Sequence, residues 1–114
     1  MLTLKAKQRQ ALADGKRAAY LERLAAHVRA LYPEEVWRTP PDELRRRLDA
    51  AVTRALAHGL STEAQAACFV ELTFLLGERF DEDPGLPWAR EILGDASLGG
   101  DAKREALARR VRPF

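Results

Sequence analysis

Between Ala66 and Leu76 the chain reads Ala-Ala-Cys-Phe-Val-Glu-Leu-Thr-Phe-Leu-Leu, apolar at almost every position. A run this dense leaves little of its surface fit for water, so the element that carries it must lie inside the fold with neighbours on most sides. A buried parallel strand and a buried helix both meet that requirement. The flanks favour the helix: Ser61 and Thr62 offer a hydroxyl cap, Glu63 and Gln65 are available to a capping arrangement, the segment extends to Phe80, and no other stretch reads as a strand. The expected fold is all-α, a small single-domain bundle of about five or six helices around this central apolar helix. A chain of 114 residues suffices for one such core.

Period and punctuation supply the covering helices. Leu2–Leu12 predicts a short first helix, ended near Asp14-Gly15. From Lys16 to Tyr32, the apolar residues Tyr20, Leu21, Leu24, Ala25, Val28, Leu31 and Tyr32 share one side at the helical repeat, and Pro33 stops the run. Glu34–Arg38 reads as a linking turn. Thr39-Pro40-Pro41-Asp42-Glu43 then predicts a helix start with Thr39 as its cap, prolines in the first turn and acids at the positive end of the dipole. That helix runs to about His58 and buries Leu44, Leu48, Ala51, Val52, Ala55 and Leu56, with Gly59 as its left-handed terminator. Phe80–Pro87 is irregular, Pro87 opens a short helix carrying Trp88, Ala89, Ile92 and Leu93, and Asp101 caps a last helix over about 102–112. With only Ala106, Leu107 and Val111 to bury, this last helix is expected to fray or to order on a partner.

Charge is distributed unevenly. Residues 1–32 carry seven bases and two acids, while residues 61–100 carry two bases and eight acids. The economical reading is that basic and acidic segments face each other within one fold; the sharper one is a two-sided surface that orients a partner. The run Arg45-Arg46-Arg47 invites a nucleic-acid interpretation, but Asp42, Glu43 and Asp49 stand one turn away and predict neutralising helical pairs 42/46, 43/47 and 45/49. No helix-turn-helix, zinc-finger or aromatic RNA platform accompanies it, so nucleic acid is not the expected partner.

Catalytic chemistry has little to work with. Cys68 is the single cysteine and lies in the most apolar stretch, where its thiolate is disfavoured, and His27 and His58 are the only histidines. No catalytic residue, metal ligand set or cofactor site is expected. Asp81-Glu82-Asp83 resembles the opening of a calcium loop, but Leu86 and Ile92 stand where the turn glycine and the closing glutamate belong. One cysteine excludes an internal disulfide, and there is neither a signal-peptide core nor an apolar run long enough to span a bilayer, which predicts a cytoplasmic chain. Glu71 and Glu78 mark one polar stripe on the central helix, beside Phe74. Together with the acids Asp81, Glu82 and Asp83 they make the candidate protein-binding edge, with Trp88 expected to be mostly buried behind it.

The segments LAAHVRALYPE, a helix ending in HGLST, and FVELTFLLGERFDEDPGLPWAREIL resemble small helical proteins encoded in bacterial type VI secretion clusters beside spike, adaptor and effector genes. The likeness covers about residues 3–110 and is strongest over Phe69–Leu93, including Gly77, Phe80, Asp81, Pro84, Pro87, Trp88 and Ala89. The resemblance implies a co-adaptor or co-chaperone that binds a larger adaptor or effector and helps load that effector onto the spike. An immunity protein that blocks a toxin and a small nucleic-acid-binding regulator are the alternatives.

Overall fold

The computed structural model describes residues 16–111, and among them the chain forms α-helices and one 3-10 turn, with no strand. The helices are α1 (Arg17–Leu31), α2 (Pro33–Trp37), α3 (Pro41–Ala57), α4 (Glu63–Leu76), α5 (Pro87–Leu93) and α6 (Gly100–Val111), and the 3-10 turn covers Phe80–Glu82. The helix expected over Leu2–Leu12 lies outside the described residues. The all-α bundle is thus the observed architecture.

Helix α4 is central. It packs on α1, α3, α6 and the 3-10 turn, and it buries Ala66, Phe69, Val70, Leu72 and Thr73. Its start is the capping box anticipated from sequence: Thr62 Oγ1 accepts from the Gln65 N–H at 3.2 Å, and Gln65 Oε1 accepts from the Thr62 N–H at 3.2 Å. Gln65 Nε2 then donates to Asp101 Oδ1 at 2.8 Å, which ties the first turn of α6 to the first turn of α4. The expectation of cover on most sides needs one correction, since Leu75 is 57 % exposed. Among the described residues no element covers that side of the last turn, so an apolar residue there stays wet.

The other helices follow their apolar stripes. Tyr20, Leu21, Leu24 and Val28 of α1 and Leu44, Leu48, Ala51, Val52 and Ala55 of α3 join the core. Leu31, expected at the end of the first stripe, is 48 % exposed instead. The chain leaves α1 at Tyr32, whose ring stacks on Phe74 with centroids 5.4 Å apart, and Pro33 then carries the backbone away from the seam. Gly59 ends α3 as expected, at φ +85°, with the Leu60 N–H reaching back to the Ala55 carbonyl at 2.9 Å and the Leu60 side chain fully buried.

Two local expectations fail for identifiable reasons. Glu34–Arg38 is not a plain turn: Pro33 occupies a first helical position and Val36 is buried, which together hold one helical turn, α2. Thr39 does not cap α3, because its hydroxyl donates to the Glu35 carbonyl at 3.0 Å at the end of α2, and Pro40 takes the cap position with no side-chain bond.

Helix α6 docks through Leu107, which is fully buried, and through Lys103. Lys103 Nζ donates to the carbonyls of His58 and Leu93, each at 2.8 Å. One ammonium thereby satisfies a carbonyl at the C-terminal end of α3 and another at the end of α5, where both the hydrogen bonds and the dipoles favour a cation.

Candidate functional site

The acidic residues singled out from sequence are largely absorbed by the protein itself. Glu71 lies 2.7 Å from Nε2 of His27 on α1. Phe74 is partly buried, stacked with Tyr32 and carrying the Arg47 guanidinium 3.9 Å from its centroid. Glu78 stands 3.8 Å from Arg47 Nε, and its backbone carbonyl accepts from Arg54 Nη1 at 2.9 Å. The 3.8 Å contact is an ion pair without a hydrogen bond, and Arg47 Nε is buried with no hydrogen-bond acceptor of its own.

Asp81 departs furthest from expectation. The 3-10 turn rotates it inward, where its side chain is 3 % exposed and bonded to Arg54, with Nε2 of His58 2.9 Å away. It is a buried structural carboxylate rather than a surface contact. Glu82 remains outside, 2.9 Å from Arg79 and 3.8 Å from Arg54. Asp83 accepts from the Gly85 N–H at 2.8 Å, a local turn bond. The structure therefore gathers Glu78, Asp81 and Glu82 around Arg54 and Arg47, and leaves Glu71 and Asp83 apart from them.

The uneven charge along the chain resolves in the same way. Arg17 pairs with Asp49 at 2.8 Å, Arg23 with Glu63 at 2.8 Å and Arg45 with Glu22 at 3.5 Å, so basic and acidic segments face each other across helix seams. The helical pairs expected within α3 at 42/46, 43/47 and 45/49 do not form; for the last two the reason is that Arg45, Arg47 and Asp49 each find a partner elsewhere in the fold. Behind the acidic turn, Phe80 enters the core with its ring 5.0 Å from Phe69. Trp88 packs against the core with most of its surface covered, as expected, and the Arg110 guanidinium of α6 lies 5.1 Å from its centroid.

The residues with hydrogen-bonding or nucleophilic chemistry are also engaged. Burial, and then Glu71, push the Cys68 thiol above its ordinary value, while Arg104 opposes them. Burial raises the Tyr20 phenol strongly, Glu63 adding to the shift and Arg23 countering it, and the Tyr20 hydroxyl donates to the Glu63 carbonyl at 2.9 Å. Among the described residues there is no cluster of three His, Cys, Asp or Glu side chains able to hold a metal ion, and no helix long and apolar enough to cross a membrane.

What sequence reasoning missed is Trp37. It ends α2 and is 89 % exposed, the most exposed large apolar side chain among the described residues. The signal was present in Pro-Glu-Glu-Val-Trp: once Val36 points inward on a single turn, the next residue stands about 100° away and faces out. Beside the indole lies a groove of about 400 Å³ between α2 and the starts of α3 and the end of α1. Buried Val36 and Leu44 form its floor, and exposed Pro33 and Pro41 its sides. Comparison with protein-family models, with curated proteins and with solved structures gives no match.

Proposed function

We propose that this chain is a non-catalytic protein-binding module that acts in the cytoplasm as a co-adaptor or co-chaperone, assisting a larger type VI secretion adaptor in loading an effector. The observation that carries the protein-binding part is Trp37. An indole left 89 % exposed on a proline-started turn, beside an apolar groove, retains its full capacity to bury area on a partner. Tryptophan is also the residue type most enriched among interface hot spots. The secretion role rests on the resemblance over about residues 3–110.

The direct test is co-expression of the tagged chain with the products of its neighbouring genes, followed by recovery of whatever is retained. An adaptor, spike component or effector that is retained by the parent chain and lost with Trp37→Ala is the expected result. Recovery of a toxin domain whose activity is blocked would make the chain an immunity protein instead. Salt-sensitive retention of DNA with no protein would overturn the reading.

A further inference from the structure

Resting on that protein-binding reading, we infer that the Trp37 groove takes a linear segment of the partner in which a bulky apolar side chain lies next to a carboxylate. The shape argues for the apolar residue. Val36 and Leu44 form a greasy floor, Pro33 and Pro41 offer flat sides, and the indole supplies an exposed aromatic wall. A side chain of leucine or aromatic size entering about 400 Å³ would cover the indole and the prolines together.

The charge argues for the carboxylate. Arg29 is the only charged residue lining this groove, and among the described residues it has no ion-pair or side-chain hydrogen-bond partner, although most arginines of α1 and α3 do. On the far side of the indole, Glu34 and Arg38 line a shallower cleft and offset each other, so Arg29 sets the sign. A free guanidinium at the edge of an apolar groove matches an anion that can accept two parallel hydrogen bonds. A second cleft adjoins the groove past Arg29, over Pro41 and Leu44 along the α1–α3 seam, where Asp42 and the Glu22–Arg45 pair line it, so the carboxylate is placed at the Arg29 end. Groove and cleft together favour a run of chain over a compact small molecule.

The test is selection from a phage-displayed library of random dodecapeptides on the immobilised full chain, followed by titration of the enriched synthetic peptides. Enriched peptides should carry Leu, Phe or Trp beside Asp or Glu. Their affinity should fall at least tenfold with Trp37→Ala and several-fold with Arg29→Gln, and Arg29→Glu should shift selection toward Lys and Arg. Circular dichroism and the Tm of each variant should match the parent, since both side chains are exposed. Enrichment of uncharged or basic peptides by the parent chain, enrichment insensitive to Arg29, or no enrichment would each overturn the inference. So would a parent chain that is dimeric by light scattering and becomes monomeric with Trp37→Ala, because the occupant would then be a second copy. A co-expressed partner lost with Trp37→Ala but indifferent to Arg29→Glu would overturn the acidic assignment alone and leave the protein-binding reading standing.

Discussion

Lys103 on α6 donates its ammonium to the carbonyl of Leu93 at the end of α5, and the same nitrogen reaches the His58 carbonyl at the end of α3. A lysine is a costly residue to bury, and this one is offset by two acceptors whose own helices leave them unsatisfied. Replacing it with methionine keeps the stem and removes the donors. Lys103→Met should destabilise the fold by about 2–3 kcal/mol, as two charge-assisted bonds to partly buried carbonyls would suggest. Urea denaturation measures it, and a loss under about 0.5 kcal/mol would mean that water replaces the ammonium at both carbonyls.

The three consecutive acids should separate sharply. Asp81→Asn leaves Arg54 and His58 facing a neutral amide at a position with 3 % exposure, and should cost about 2–4 kcal/mol. The pair Glu82→Lys with Asp83→Lys should change stability by about 0.5 kcal/mol or less, because both carboxylates make only exposed contacts. A thermal melt of each variant decides the matter. Equal effects would show that the 3-10 turn does not hold Asp81 inward in solution.

Cys68 should react slowly with a thiol reagent in the native state and quickly after unfolding. Its thiol lies above the ordinary value because burial and Glu71 disfavour the thiolate, so the native labelling rate should keep rising at pH values where an unfolded cysteine has already levelled off. Glu71→Gln removes one of the two raising influences and should move that native profile to lower pH. An unchanged profile would leave burial as the whole cause.

Tyr20 should mark the alkaline limit of the fold. Its phenol is raised in the folded state, so the unfolded chain ionises first as pH climbs past the ordinary tyrosine value of 10.0. The sign follows: stability from the protonated hydroxyl is fully present below that value and is lost as pH rises above it. Tyr20→Phe should therefore cost about 1 kcal/mol at neutral pH through the lost bond to the Glu63 carbonyl. The deficit should shrink and then reverse above about pH 10. A deficit that stays constant with pH would mean that Tyr20 ionises alike in both states.

Much of this architecture was legible because the signals were local. The Thr62–Gln65 capping box, the Gly59 terminator and the stripes of α1 and α3 each depend on residues within a turn or two of one another. What sequence could not supply was which neighbour a charged side chain would choose. Arg45, Arg47 and Asp49 look like members of helical pairs until α1 and the segment just after α4 offer other partners, and Asp81 looks like one of three equivalent acids until a single 3-10 turn rotates it onto Arg54. Trp37 was obscured by the same kind of contingency. Whether an indole after Val36 is covered depends on what packs over α2, and no pattern within α2 itself records that.

The contrast between the two tryptophans has an optical consequence. Trp37 stands almost wholly in water, while Trp88 has most of its surface covered, with the Arg110 guanidinium over its ring. Their emission should separate into a red component that unfolding barely alters and a bluer one that it quenches or shifts. Intrinsic fluorescence during denaturation thus reports the α5–α6 corner alone, whereas a blue shift of the red component in the native state would signal that something has settled on α2.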